Sequence, residues 1–466
     1  VTDAGVLDKG GLGAMLRRAA VYGLGPVLGQ AAGFVLLPLY TNLLSPTDYG
    51  TLEIIVLAST FLNVFLGLQT VTQIQRMYHA CDDPAERRRV VATGLVFTGV
   101  LTAAAIVPAD LGRDRLSAAL FGTVAYGDLL RLGLWSVVTT NVFAAALAYL
   151  QARGMSRAFT ALSVGQLVAT LSLNLLFVAW LRWGVAGILV SQLAVGAAFA
   201  LGTTAWVLSR TGLAVSPPRI RQIVTFGLPL IGWSLAVFVV NAADRVVLAA
   251  VGSLTEVGVY SLANRIAASL LVFVVAPFVN FWGAERFRVA RQAGGREVLA
   301  RVFTYFFATL CFAGLALGVA GGDVVRLMAA EEFGGAARIV PVLALAYVLW
   351  GAFDGFMTGV LIEGGTRAVG VLAAAVAGLH VLTCAALGGT FLAPGVAWAK
   401  VLTLALLAAG VYAIAQRRYP IRYELRRLAT ALAVAIGLFL ASTLLDGRHP
   451  LVGLAVKAPL VLAFPL

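Results

Sequence analysis

Three charged residues, Asp244, Arg245 and Arg265, sit inside the long apolar runs that fill the stretch from Phe226 to Phe287. The two runs are joined by the short segment Gly252 to Glu256. Each is long enough to cross a bilayer as a helix, which takes about 20 apolar residues at 1.5 Å each. A carboxylate or guanidinium near the bilayer centre costs roughly 3 kcal/mol on insertion scales, so such groups usually face a bundle interior or a watery cavity and mark a pathway. Counted from Glu256, Arg265 lies about nine residues, or roughly 13 Å, into its helix, close to the midplane. Ser261, Arg265 and Ser269 are spaced by four and share one face, with Asn264 beside them. A polar stripe around a central cation suits an anionic ligand such as a diphosphate. The alternative is a structural arginine paired to a carboxylate on another helix.

Other charges are placed less deeply. Asn241, Asp244 and Arg245 form a polar patch near the outer end of their helix, either an interfacial pair that orients it or a ligand or coupling-ion site. Glu53 and Lys400 each fall one turn into their runs, at the outer rim; Lys400 could snorkel to the interface and is otherwise a ligand candidate. Asp354 is deeper, and reads as an ion-coupling group, a partner for Arg265 or a helix–helix hydrogen bond. The candidate substrate-binding residues are therefore Arg265, Asn264, Ser261 and Lys400. Asp354, Glu53, Asp244 and Arg245 are candidates for ion coupling or gating. Gln30, Asn63, Gln69, Asn141, Gln166, Asn174 and Gln192 could line a cavity or serve as polar glue between helices.

The chain around these groups is 61% hydrophobic and 12% charged over 466 residues, with mean hydropathy +0.94. An ordinary soluble domain carries about 25% charge, so this composition defines an all-α polytopic membrane protein. A net charge of +13 would suit nucleic acid only if the bases gathered on one soluble face. Here they lie in short loops between apolar runs, so no nucleic-acid partner is expected. Cys81, Cys311 and Cys384 lie far apart and give neither a disulfide framework nor a metal signature. No Ser/His/Asp grouping, Walker loop or zinc spacing is present, so neither catalysis nor a cofactor is expected. Val1 to Gly13 lacks the apolar core of a cleavable signal, and the first membrane helix is expected to direct insertion.

Apolar runs of spanning length recur from 18–42 to 451–466 and predict about fourteen helices, among them 223–251, 256–283, 368–391 and 395–415. The last holds Lys457 and reads as a short or truncated span. Arg and Lys on alternate sides number 23 and 7, which predicts a cytoplasmic N-terminus. The chain also repeats itself. Ser45-Pro-Thr-Asp-Tyr-Gly50 recurs as Ser253-Leu-Thr-Glu-Val-Gly258, Ser156-Arg-Ala as Thr366-Arg-Ala, and Gly184-Val-Ala as Gly395-Val-Ala, at offsets of 208 to 211. The pattern predicts two pseudo-symmetric six-helix lobes, 1–210 and 211–420, around a central cavity, with additional helices over 421–466.

These stretches resemble a known family. Leu36-Leu-Pro-Leu-Tyr-Thr-Asn-Leu-Leu-Ser-Pro-Thr-Asp-Tyr-Gly50 is similar to the first-hairpin signature of polysaccharide-transporter proteins in the multidrug/oligosaccharidyl-lipid/polysaccharide exporter superfamily. Phe226-Gly-Leu-Pro-Leu230, Asp244-Arg245 and Val257-Gly-Val-Tyr-Ser-Leu-Ala-Asn-Arg265 are similar to its second-half signature, which usually ends in Arg or Lys. The resemblance covers nearly the whole chain. It implies a flippase that moves an undecaprenyl-diphosphate-linked oligosaccharide across the bacterial cytoplasmic membrane by alternating access, with a basic central cavity that adds weight to Arg265. Its partners would be that lipid-linked substrate, the bilayer, and polysaccharide polymerase or glycosyltransferases of the same pathway. The alternatives are a cation-coupled multidrug exporter, which would want an acidic cavity, and a membrane-embedded polymerase or ligase, which would want a sizeable outer loop.

The charge count generates a direct test. Cysteines introduced at Thr47 and Arg88 should label from opposite sides of the membrane with an impermeant thiol reagent. Equal labelling would overturn the topology.

Overall fold

The computed structural model describes residues 36–67, 70–445 and 450–464. Most of the first predicted run, 18–42, lies outside them, as do Lys9, Arg17, Arg18, Gln30, Gln69 and Arg448. The described residues form no strands. They are helices α1 (Leu37–Leu43), α2 (Pro46–Leu66), α3 (Thr70–Ala80), α4 (Pro84–Leu111), α5 (Arg113–Phe121), α6 (Gly127–Ala152), α7 (Ser156–Asn174), α8 (Gly184–Thr211), α9 (Pro217–Val251), α10 (Leu254–Ala267), α11 (Ala276–Ala290), α12 (Gly295–Met328), α13 (Ala336–Glu363), α14 (Thr366–Arg418), α15 (Leu425–Ser442) and α16 (Pro450–Leu462). A π-helical segment, Leu271–Val275, carries α10 on towards α11.

Among the described residues, eleven helices are long and apolar enough to cross a membrane. One of them, α14, is a hairpin: Leu392 takes φ 52° and ψ −135°, outside any helix, two residues before Pro394. Leu372 then packs on Gly410, His380 on Thr403 and Gly388 on Val396, which only an antiparallel return allows. The break falls between the expected runs 368–391 and 395–415. The final helix, α16, has 13 residues and is tied to α12 by Lys457 and Asp323, 3.5 Å apart.

Contacts divide the chain into two compact units, 1–36 with 54–235 and 37–53 with 236–466. The division falls inside α2 and inside α9. Residues 37–53, which hold the first copy of the Ser45–Gly50 motif, pack in the unit that holds the second copy, Ser253–Gly258.

In the first unit, Ile74, Val91, Leu95, Tyr149 and Val207 close around the small residues Ala145, Ala146 and Ala148 of α6, which let the neighbouring helices approach. Polar side chains bridge helices here. Asn141 donates to the Asn63 side chain at 2.7 Å, Gln75 to that of Gln151 at 2.6 Å, and Ser191 to that of Asn174. These asparagines thus act as glue between helices. In the second unit α12 and α13 pack through glycines that meet large side chains: a methyl group at Gly355 would fall 2.0 Å from the Phe303 ring, and one at Gly351 2.1 Å from Leu310.

The repeated motif has a physical reading in the second unit. Each copy opens a helix. Ser45 caps α2 by donating to Asp48 at 2.8 Å and accepting from its N–H at 3.1 Å, and Ser253 accepts from the Glu256 N–H at 3.2 Å. The threonines then meet each other, Thr47 and Thr255 hydroxyls lying 2.8 Å apart. One turn on, the glycines cross: a methyl group at Gly50 would fall 1.9 Å from the Leu254 carbonyl oxygen, and one at Gly258 1.9 Å from that of Pro46. Thr47 and Thr255 correspond in the repeat, and the offset of 208 exchanges the Gly50–Leu254 contact with the Gly258–Pro46 contact, so the two helix starts are related by a local two-fold axis.

Gly50→Ala or Gly258→Ala should therefore force the two backbones apart at about 1–3 kcal/mol. Gly202→Ala, where a methyl group meets nothing within 4 Å, is the control. Thermal unfolding in detergent measures the difference, and a parental melting temperature for Gly50→Ala would overturn this account of the crossing.

Candidate functional site

The buried charges of the second unit gather into one network. Asp244, on α9, has no exposed surface; its Oδ2 accepts from the Tyr260 hydroxyl at 2.8 Å and from Lys400 Nζ at 2.9 Å. Lys400, on the second arm of α14, is equally buried and also donates to Asn264 Oδ1 at 3.2 Å. That same oxygen accepts from the Tyr347 hydroxyl of α13 at 2.8 Å. Beside this core, Arg245 donates to the Asn241 carbonyl at 3.0 Å and lies 4.0 Å from Glu53 of α2. The other Glu53 oxygen faces Arg265 at 3.6 Å. The Arg265 guanidinium lies 5.9 Å from the centre of the Tyr49 ring.

Local sequence explains the placement. Tyr260, Ser261, Asn264 and Arg265 fall within one and a half turns of α10, so their side chains leave from adjacent faces. Asp244 and Arg245 are consecutive on α9: Asp244 reaches Lys400, while the Arg245 guanidinium lies 4.0 Å from both Glu53 and Asp244. The network thus joins five helices through two carboxylates and three cations, and carries one positive charge in excess. Its members differ in access: Asp244 and Lys400 have none, whereas 38% of the Arg265 side chain is exposed. Arg265 is therefore the most accessible cation of the network.

The sequence placed several of these groups differently. Lys400 does not snorkel to a rim, because it lies on the face of α14 that meets Asp244; depth along a helix does not fix the direction a residue faces. Arg265 has a carboxylate partner, and that partner is Glu53 rather than Asp354. Asp354 stands apart, lining a small cavity with Arg286, Thr358 and Tyr423. Ser261 is buried, and its hydroxyl has no hydrogen-bond partner among the described residues. Tyr260 and Tyr347 escaped sequence reasoning. Tyr260 had a usable signal, since it sits four residues before Asn264 on the same face; Tyr347 had none. Buried His380 bonds Thr403 across the α14 hairpin at 3.0 Å.

The described residues thus form a many-helix membrane protein with a net-positive polar cluster buried among helices long enough to span a bilayer. Residues 15–281, more than half of the chain, match the family described as polysaccharide biosynthesis protein, and the chain belongs to that family. The fold is that of MOP-superfamily transporters. Similar solved structures are a lipid II flippase MurJ in an inward closed conformation, at TM-score 0.73 and 11% identity over 96% of this chain and 98% of that one. Another is an inward-facing multidrug resistance MATE family transporter, at TM-score 0.66 and 16% identity over 89% and 98%. Among curated proteins, the EPS I polysaccharide export inner membrane protein EpsE of Ralstonia nicotianae (strain ATCC BAA-1114 / GMI1000) is 26% identical over 156 residues. That match covers 33% of this chain and 36% of the relative, about a third of its length.

Removing one member of the buried pair should leave the other charge uncompensated. Lys400→Met is expected to cost about 3–5 kcal/mol, and Lys400→Met with Asp244→Asn should recover most of it. Unfolding of the two single variants and the double variant measures the coupling, and additive losses would overturn the pairing.

Proposed function

We propose that the protein flips a lipid-linked oligosaccharide carrying a diphosphate, in bacteria an undecaprenyl-diphosphate-linked repeat unit, from the cytoplasmic to the outer leaflet of the cytoplasmic membrane. The observation that carries this reading is the excess positive charge of the buried network, which falls on its most accessible member, Arg265. An anion answers that charge. A diphosphate suits it because a guanidinium offers a planar fork of N–H donors that two phosphate oxygens accept together. The family of polysaccharide biosynthesis proteins, the export role in the name of EpsE and the lipid II flippase among the fold relatives all support a lipid-linked glycan as cargo. A cationic drug, the cargo of the alternative reading, would be repelled by the same charge.

In this reading the N-terminus is cytoplasmic, as the 23 to 7 count has it, and the two six-helix lobes of the repeat alternate in exposing Arg265 to the two leaflets. Glu53 holds Arg265 when no substrate is bound. Asp354, outside the network, is the carboxylate proposed for coupling to an ion gradient, and Asp244 with Lys400 keeps the helices in register.

Arg265→Ala should abolish flipping of lipid-linked oligosaccharide in proteoliposomes while leaving protein level and melting temperature near parental, because Glu53 keeps Arg245 as a partner. Arg265→Lys should retain part of the activity, since a point charge still attracts phosphate without the fork. Normal flipping by well-folded Arg265→Ala would end this reading. A folding loss that Glu53→Gln repairs would make the arginine structural instead.

A further inference from the structure

A second basic site lies in the first unit, separate from the network above. Arg76 of α3 and Pro217, Pro218, Arg221, Gln222, Thr225 and Phe226 of α9, all exposed, line an open surface pocket of about 690 Å³, within the usual range for small-ligand sites. Pro218, Arg221, Gln222 and Thr225 are spaced to form one face of α9. The helix is fixed against its neighbours by Ile223, packed with Met77, Cys81 and Val90, and by Arg219, paired to Glu86 at 3.1 Å. Arg76 and Arg221 make no ion pair among the described residues. The Arg76 guanidinium instead lies 3.7 Å from the centre of the Phe226 ring.

That contact covers one face of the guanidinium and leaves its N–H edge available, which orients the fork for an anion. The backbone contributes little. Pro217 and Pro218 have no N–H, and those of Arg219 and Ile220 are both taken by the Ser216 carbonyl, at 3.0 and 3.2 Å. Recognition would rest on side chains: two guanidiniums, one amide and one hydroxyl, with no carboxylate among the lining residues. The apolar run of α9 begins near residue 223, so Pro217, Pro218, Arg221 and Gln222 precede it and place the pocket at its end, at the level of lipid headgroups. Basic pockets beside spanning helices at that level hold anionic headgroups.

We propose that this cavity binds the phosphate group of a membrane amphiphile, with Arg76 and Arg221 as the phosphate ligands and Phe226 and the two prolines against its first apolar carbons. Two sources share that chemistry: the diphosphate of a prenyl-linked substrate docking before transport, and an anionic phospholipid headgroup. The first source rests on the proposed flippase reading; the cavity itself does not.

The test uses the full chain in detergent, carrying Arg265→Ala so that the other basic site is silent, with farnesyl diphosphate and cardiolipin as separate probes. Adding Arg76→Ala and Arg221→Ala should weaken at least one probe tenfold or more. Thr225→Trp, which fills the cavity without removing charge, should do the same. Arg210, which lies over Trp206 at 4.4 Å outside the cavity, provides the control: Arg210→Ala should change neither probe. Selective loss of farnesyl diphosphate assigns the site to a prenyl diphosphate, selective loss of cardiolipin to a phospholipid, and loss of both to a shared phosphate site. Unchanged affinity for both probes in the well-folded double substitution, or equal weakening by Arg210→Ala, overturns the proposal. Normal flipping by Arg265→Ala alone would sink the function proposed above and leave this result untouched.

Discussion

The second unit depends on the requirement that the Asp244 carboxylate, wholly removed from solvent, be answered on every side. Its answer is a lysine from the second arm of the α14 hairpin, a tyrosine hydroxyl from α10 and a backbone N–H from its own helix. Apolar side chains cannot distinguish one helix from another in a bilayer, because lipid is as apolar as leucine. A buried ion pair can, since a helix rotated away from it strands a charge. The pair therefore fixes how α9, α10 and α14 face one another, and so where Arg265 stands.

This arrangement separates two kinds of buried charge that look alike in a sequence. Lys400 and Asp244 are paired with each other, hydrogen-bonded further to Asn264 and Tyr260, and have no access. Arg265 shares Glu53 with Arg245 at longer range and keeps part of its surface. A fully answered charge holds structure, and a partly answered one is available to a ligand. Both kinds occur within a few turns of each other, so position alone could not have sorted them.

Much of the fold was legible because hydrophobic run length is a one-dimensional quantity. The expected runs 256–283 and 368–391/395–415 reappear as Leu254–Gly283 and as the two arms of α14. The helix that carries Ser261, Asn264 and Arg265 was legible for the same reason. What the sequence withheld was rotation. Lys400 reads as one turn from a helix end, and only packing shows it turned inwards. Glu53 reads as a rim residue, and only the crossing of α2 and α10 brings it to Arg265. Tyr260 and Tyr347 carry no charge to draw attention, although their hydroxyls complete the network.

The crossing at Gly50 and Gly258 also bears on how such a chain could arise. Repeat-related atoms meet each other there, Thr47 with Thr255 and each glycine with the carbonyl of the other copy, as the same patch on two subunits does in a two-fold symmetric dimer. A protein with half this sequence, paired with its own copy, would make the identical contact twice. Fusion of the copies frees most positions to diverge, but not these two: each glycine is held small by the backbone of the other, and a side chain admitted in one copy cannot be absorbed by change in its twin.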